Sequence, residues 1–326
     1  MAQRLLLIAA IASIGFSPLL GQRNTIQADV DLVVVPASVK DADGRLVYDL
    51  KKEDFSIFED GRRQQIQQFS IDPAQLSAVV LVDTGITTSA LRRFSKAIDA
   101  LSSAFTAMDE VEAYRFQKYI AKLADFSNDE EKLEKGLAFF RTIPGGRVEE
   151  PPWPLAVFPG RGPLWLRWLL DRNVPTRILN DAVFTAARDL ERRAPEYRKI
   201  IITISDGQDA HDMVSAEDVL ARLVRDQIQF YGVTVSMPIL GKLTSTLETY
   251  AQGTGGDVYS GRTENRMRKA FARITEQARR QYVFGYVSNN EVSGSGPVLR
   301  KIEVKTAKPG LKVWHRSEYF QYPRHR

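Results

Sequence analysis

Two apolar runs of the chain each end in an aspartate, and these aspartates are the residues best placed to do chemistry. Asp83 follows the run at residues 78–82, and Asp206 follows the run at residues 200–205. Runs of this composition are typical of buried strands in a parallel sheet. The carboxyl ends of such strands border the crevice where open α/β sheets bind ligands. Carboxylates beside a hydroxyl group, such as that of Thr87, are hard oxygen donors that suit Mg²⁺ or a similar cation.

An alternative interpretation of the first turn needs no metal. Asp83 or Thr87 would then accept a backbone N–H as the N-terminal cap of the following helix. A third polar residue, Thr176, follows a proline where another helix is predicted to begin. Thr176 favours a cation site because its hydroxyl is a further oxygen donor, located between Asp83 and Asp206 in the sequence. The capping interpretation of the first turn stays open.

The order of these residues resembles the metal-ion-dependent adhesion site of von Willebrand factor type A (VWFA) domains. In that family a strand end supplies Asp-x-Ser-x-Ser, a loop supplies Thr, and a later Asp-Gly strand end supplies a second Asp. The matching positions here are Asp83, Thr87 for the second serine, Thr176 and Asp206. Gly85 stands where the first serine is expected. The resemblance therefore implies Mg²⁺, or Mn²⁺ or Ca²⁺ in its place, and the missing hydroxyl predicts that binding is weak or absent.

The elements that must position these residues alternate between strand and helix over residues 73–280. This alternation predicts a Rossmann-like, doubly wound α/β fold with a mostly parallel sheet, which the resemblance identifies as the VWFA domain. Residues 22–72 and 281–326 are β-rich flanks. Neither flank is long enough to bury a core of its own. We therefore predict that the two flanks pair into one smaller β-sandwich-like domain.

The two flanks make the resemblance more specific than the VWFA domain alone. Residues 37–45 and 50–61 of the first flank, and residues 281–286 and 300–305 of the second, are similar to the ends of one group of exported bacterial proteins. That group is described as VWFA-related, Acidobacterial type. The resemblance thus covers nearly the whole chain after its first 21 residues.

Residues 141–175 interrupt the alternation with a turn-rich insertion that contains Trp153, Trp165 and Trp168. A connection of this length is typical of a lid, a binding loop or a disordered segment. In one interpretation the tryptophans pack into the core of their own domain. In the other they bind a partner at the rim, the surface formed by the loops that carry Asp83, Thr176 and Asp206.

Residues 1–21 have the pattern of a signal peptide, with Arg4, an apolar core over residues 5–16, and Gly21 before the predicted cleavage point. The pattern predicts a secreted or periplasmic protein without a transmembrane segment in its mature chain. Leu19 is unfavourable three places before the cleavage point, so an uncleaved anchor is the alternative. The chain contains no cysteine, which excludes disulfides and thiolate metal sites.

The remaining inventory predicts a binding protein and no enzyme. The chain has three histidines and lacks the His-Glu-x-x-His, Gly-x-Ser-x-Gly and Gly-x-x-x-x-Gly-Lys motifs. Its net charge of +5 is dispersed, so nucleic acid is not a predicted partner. In the family that the chain resembles, a carboxylate of a protein partner completes the metal coordination. The alternatives are an envelope structural or assembly module with a vestigial, metal-free site and, less favoured, an unrecognised hydrolase.

Overall fold

A computed structural model describes residues 32–142, 178–207, 212–235, 246–292 and 296–323. Its strands, labelled in chain order, are β1 (Leu32–Lys40), β2 (Phe55–Glu59), β3 (Arg62–Gln64), β4 (Gln68–Ser70), β5 (Leu76–Asp83), β6 (Glu110–Phe116), β7 (Ile120–Ser127), β8 (Arg198–Ser205), β9 (Gln229–Thr234), β10 (Val258–Ser260), β11 (Tyr282–Val287), β12 (Val298–Thr306), β13 (Lys312–His315) and β14 (Glu318–Gln321). Its α-helices are α1 (Thr88–Ser95), α2 (Ile98–Ser102), α3 (Glu130–Leu137), α4 (Leu179–Glu191), α5 (Ala216–Arg225), α6 (Thr246–Thr254) and α7 (Glu264–Arg279).

The central sheet has six strands in the order β10-β9-β8-β5-β6-β7. All neighbours pair in parallel except β7, which runs antiparallel to β6 at one edge. Every residue of β5 is buried, because this strand lies in the middle of the sheet and has helices on both faces. The predicted Rossmann-like, mostly parallel α/β fold is therefore confirmed.

Each face of the central sheet has its own apolar core. On one face, α1, α2, α3 and α7 pack against the sheet through side chains that include Phe94, Leu137 and Phe271. On the other face, α4, α5 and α6 contribute Leu190 and Tyr250 among others. Because helices cover both faces of the sheet, the ends of its strands are the places left for binding. The row of strand ends at which the parallel strands begin is here called the amino edge, and the row at which they finish is called the carboxyl edge.

The flanks form two antiparallel four-stranded sheets, ordered β13-β1-β11-β4 and β14-β12-β2-β3. Both sheets combine strands from the first flank with strands from the second, as in the pairing of β1 with β11 and of β2 with β12. One core lies between them, and the rings of Phe55 and Phe284, one from each sheet, meet edge to face with centroids 4.9 Å apart. The predicted pairing of the flanks into a β-sandwich is confirmed. Within the described ranges, no helix has the length and hydropathy needed to cross a membrane.

Candidate functional site

Asp83 is the last residue of β5, and its carboxylate is held on both sides. It is completely buried. Its Oδ1 accepts a hydrogen bond of 2.7 Å from the backbone N–H of Gly85. Its Oδ2 accepts one of 2.8 Å from the hydroxyl of Ser205, the last residue of the neighbouring strand β8. The carboxyl ends of two adjacent parallel strands are thus joined through one carboxylate.

Ser205 extends this network to the second turn. Its Oγ, which donates to Asp83, also accepts a hydrogen bond of 3.1 Å from the backbone N–H of Gly207. Gly207 has a φ of 76°, in the left-handed region that favours glycine. Asp206 follows directly after the last residue of β8 and is half-buried. Ser205 is a site residue that the sequence interpretation missed.

The turn after Asp83 is also anchored. Both the backbone N–H and the hydroxyl of Thr84 donate to the carbonyl oxygen of Phe116, at 2.8 and 3.1 Å. Thr87 is the N-terminal cap of α1, because its hydroxyl accepts from the N–H of Ala90 at 3.4 Å. It is exposed, and its Oγ1 lies 3.1 Å from the hydroxyl of Ser89. The capping interpretation thus applies to Thr87, whose hydroxyl still faces the surface of the rim.

The start of α4 is fastened to the loop that leads into α5. Oδ1 of Asp212 accepts hydrogen bonds from the backbone N–H groups of Asn180 and Asp181, at 3.0 and 3.3 Å. In return, the Asp181 carboxylate accepts from the N–H groups of Met213 and Val214. Each aspartate caps the backbone of the other segment, so the two segments hold a fixed relative position. Asp212 acts here in place of a local cap for α4, whose own N-cap residue supplies no side-chain hydrogen bond.

The structure brings only part of the predicted site together. Asp83, Thr87 and Asp206 lie at the carboxyl edge of the central sheet, on or beside the ends of β5 and β8. Thr176 and the three predicted partner-binding tryptophans, Trp153, Trp165 and Trp168, lie outside the described residues.

The described side chains do not fit a Mg²⁺ ion by themselves. Mg²⁺ requires six oxygen ligands in near-ideal octahedral geometry. Position 85 is a glycine without a ligand oxygen, and both oxygens of Asp83 accept hydrogen bonds from the protein. Among the described residues, no group of three or more histidine, aspartate or glutamate side chains is arranged to hold a metal ion.

The strand order of the central sheet and the helices on both of its faces define a doubly wound α/β domain. Among solved structures, the conserved hypothetical protein BatB from Bacteroides thetaiotaomicron is similar to it with a TM-score of 0.44 and 14% identity, over 62% of this chain and 98% of that chain. A von Willebrand factor type A protein from Catenulispora acidiphila has a TM-score of 0.45 and 9% identity, over 90% and 74% of the respective chains.

A third structure carries a metal in its own site. Proximal thread matrix protein 1 from the mussel byssus, solved with a zinc-occupied MIDAS motif, has a TM-score of 0.45 and 13% identity, over 66% of this chain and 48% of that chain. At these identities the likeness is one of fold alone. No family model matches the sequence, and no curated protein matches it.

Proposed function

We propose that this chain is a non-enzymatic, protein-binding module that engages its partner at the rim, and that it acts outside the cytoplasm as a secreted or periplasmic protein. The binding residues are those of the turns that carry Asp83, Thr87 and Asp206. The predicted site residue Thr176 and the tryptophans of the insertion belong to the same proposal. The pattern of residues 1–21 supports the location.

The observation that carries this proposal is the network through Ser205. Gly207 donates to Ser205, Ser205 donates to Asp83, and Asp83 also accepts from Gly85. Two turns from different parts of the chain are thereby held in one arrangement, and the hydrogen bonds that hold them come from the protein itself. A surface fixed before binding loses less conformational entropy when a partner docks, which favours a recognition role.

The position of His315 also supports a role without catalysis. This histidine lies at the end of β13 in the β-sandwich, where its Nε2 accepts a hydrogen bond of 3.1 Å from the backbone N–H of Val304. Its Nδ1 contacts the carbonyl oxygen of Arg316 at 2.7 Å. Burial lowers its pKa, so the ring is held neutral inside the fold. Such a histidine is a structural group, remote from the rim.

Cross-linking from the rim tests the proposal. A photoreactive amino acid is placed at Ser89, which is exposed on the rim, and, in a matched control, at Glu131 in α3. Glu131 is also exposed but lies at the opposite edge, because β7 runs antiparallel and ends beside the start of β6. After illumination in an envelope extract, we expect a cross-linked protein with Ser89 that is absent with Glu131. The purified partner should then bind the Asp83→Asn chain more weakly than the wild type. Identical cross-linking profiles from the two positions would contradict the proposal.

The metal-free alternative and the leading proposal differ in whether the site binds a metal ion. Substitutions of Gly85 test this property. The wild-type chain is expected to bind Mg²⁺ weakly or not at all in isothermal titration calorimetry. Gly85 is not among the described glycines with positive φ, so its φ is not one that favours glycine. We expect Gly85→Ser, which restores one hydroxyl, to tighten Mg²⁺ binding by about tenfold, or about 1.4 kcal/mol.

Gly85→Ala is the control for this experiment, since it adds the same Cβ without an oxygen. It should leave the titration unchanged. Tight binding of Mg²⁺ by the wild type, lost in Asp83→Ala, would instead establish a functional metal site and rule out the metal-free alternative. Loss of partner capture in EDTA would lead to the same conclusion.

A further inference from the structure

A cleft of about 280 Å³ lies where the β-sandwich meets the amino edge of the central sheet, at the opposite edge from the rim. The sandwich contributes β1, β11 and Arg316 to its walls, and the central domain contributes the starts of β8 and β9. Several wall residues are apolar, among them Val34, Pro36 and Ile228. The walls also carry cationic side chains, which makes the cleft amphipathic.

Arg316 is the most deeply buried of these cations, with 9% of its surface exposed. Its Nη2 donates to the carbonyl oxygen of Val34 at 2.7 Å. Its Nε is shielded from solvent and has no hydrogen-bond partner. No carboxylate of the described residues lies within ion-pair distance of its guanidinium. Burial lowers the pKa of Arg316 to about 10, so the group is still charged at neutral pH and lacks a counterion.

Arg198 brings a second guanidinium without a carboxylate partner. Its Nη1 donates to the carbonyl oxygens of Ala278 and Arg279, at 2.5 and 3.3 Å. These carbonyls end helix α7, so a structural role as a C-terminal cap accounts for that one nitrogen. The other guanidinium nitrogens of Arg198 donate to no acceptor in the described residues. The helix cap therefore leaves much of the donor capacity of Arg198 unused.

The remaining charges of the wall do not neutralise this pair. Lys199 adds a third cation, and Glu196 and Asp226 are the acidic residues of the wall. Asp226 is already paired with Arg222 and with Arg225. The wall thus has three cations, two of which are arginines. Glu196 is its one carboxylate without an ion-pair partner among the described residues. A buried, unpaired cation is costly, and that cost falls when an anion of suitable shape enters.

We propose that this cleft binds a small organic anion, whose carboxylate or phosphate group contacts Arg198 and Arg316 and whose apolar part packs against Val34, Pro36 and Ile228. The planar fork of a guanidinium matches two oxygens of either group at once. The volume lies near the lower limit for small-molecule sites, which restricts the ligand to a compact molecule. The proposal is independent of partner binding at the rim, because the two sites lie at opposite edges of the central sheet.

Calorimetric titration of the full chain with benzoate and with phenyl phosphate tests the inference and separates the two kinds of anionic group. Benzyl alcohol is the neutral counterpart, and sodium chloride at matched ionic strength controls for screening. We expect saturable one-site binding of at least one anion and none of the alcohol. Arg316→Lys keeps the charge but loses the fork, and it should weaken binding by about tenfold. Arg268→Lys changes an arginine on α7 that is paired with Asp99, so it should have no effect.

A crystal structure of the wild-type chain with the tighter of the two probes locates the anion and does not depend on the folding of any variant. Contact between its oxygens and Arg316 would support the inference. An anion bound elsewhere, or no saturable binding of benzoate and phenyl phosphate, would overturn it. Equal affinities in the wild type and a folded Arg316→Lys chain would do the same.

Discussion

Replacing Glu59 with alanine is expected to lower the free energy of unfolding by about 4–6 kcal/mol, a large effect for a single side chain. Glu59 ends β2 and is completely buried in the β-sandwich. Its carboxylate accepts four hydrogen bonds, which come from Tyr286 at 2.8 Å, Ser288 at 2.5 Å, Asn290 at 2.7 Å and Tyr319 at 2.8 Å. All four donors belong to the second flank, so this single carboxylate joins the two flanks.

The size of the effect follows from what alanine leaves behind. Four buried donors lose their acceptor at once, and each unsatisfied buried group costs about 1–3 kcal/mol. Relaxation of the side chains recovers part of that sum. Urea denaturation, followed by far-ultraviolet circular dichroism, measures the change at neutral pH. Because the sandwich requires both flanks, we expect its unfolding midpoint to fall strongly.

Glu303→Ala is the matched control, since it removes the same side chain from β12 of the same domain. Glu303 is exposed and forms an ion pair with Lys305 at 2.9 Å. Pairs of this kind contribute about 0–1 kcal/mol. If Glu59→Ala costs no more than Glu303→Ala, the carboxylate is not the link between the flanks that its contacts indicate.

Much of the fold could be predicted from the sequence because its signals are local. A strand buried on both faces must be apolar at successive positions, which made β5 and β8 visible as continuous runs. The alternation of such runs with helical spacing then fixed the class of the sheet. The pairing of the flanks followed from size, because a segment of about 50 residues buries too little core to fold alone.

The hydrogen-bond network of the site was harder to predict from the sequence, because it depends on contacts between residues far apart in the chain. Ser205 donates to a carboxylate 122 positions earlier, and no periodicity encodes that contact. One signal was present: a hydroxyl side chain at the end of an apolar strand, directly before Asp206. The reciprocal caps of Asp181 and Asp212 gave no local signal, because each aspartate serves the backbone of another segment.

Glu59 could have been found from the alternation of inward and outward side chains along β2. Side chains two positions apart in a strand share a face, so Phe55, Ile57 and Glu59 point the same way. The two apolar residues mark that face as the inward one, and both are buried. A charged residue at the next inward position is a strong indication of a buried, hydrogen-bonded carboxylate.

The second large effect is expected at Asp109, a buried carboxylate at the amino edge of the central sheet. It accepts hydrogen bonds from the backbone N–H of Leu76 at 2.8 Å, and from the N–H and hydroxyl of Thr106 at 2.7 and 2.9 Å. It also receives two from Arg279, at 2.9 and 2.7 Å. We expect Asp109→Ala to cost about 3–5 kcal/mol in urea denaturation at pH 7, because it leaves a partly buried guanidinium without its counterion.

The pH dependence of unfolding tests the same interaction with a smaller change, Asp109→Asn. Burial raises the pKa of Asp109, but the hydrogen bonds from Arg279 and from the N–H groups of Thr106 and Leu76 outweigh it, so the net pKa is lowered. The unfolded chain, in which an aspartate titrates near about 3.9, therefore takes up the proton first. The stabilisation is complete above that pH and is lost as the pH falls through the folded value.

The wild type should thus lose stability on acidification below about pH 4 more steeply than Asp109→Asn. Asp99 lies in an exposed ion pair with Arg268 that also lowers its pKa, so Asp99→Asn should reduce the steepness by much less. Equal slopes for wild type and Asp109→Asn between about pH 4 and pH 2 would show that this carboxylate does not stabilise the fold through its charge.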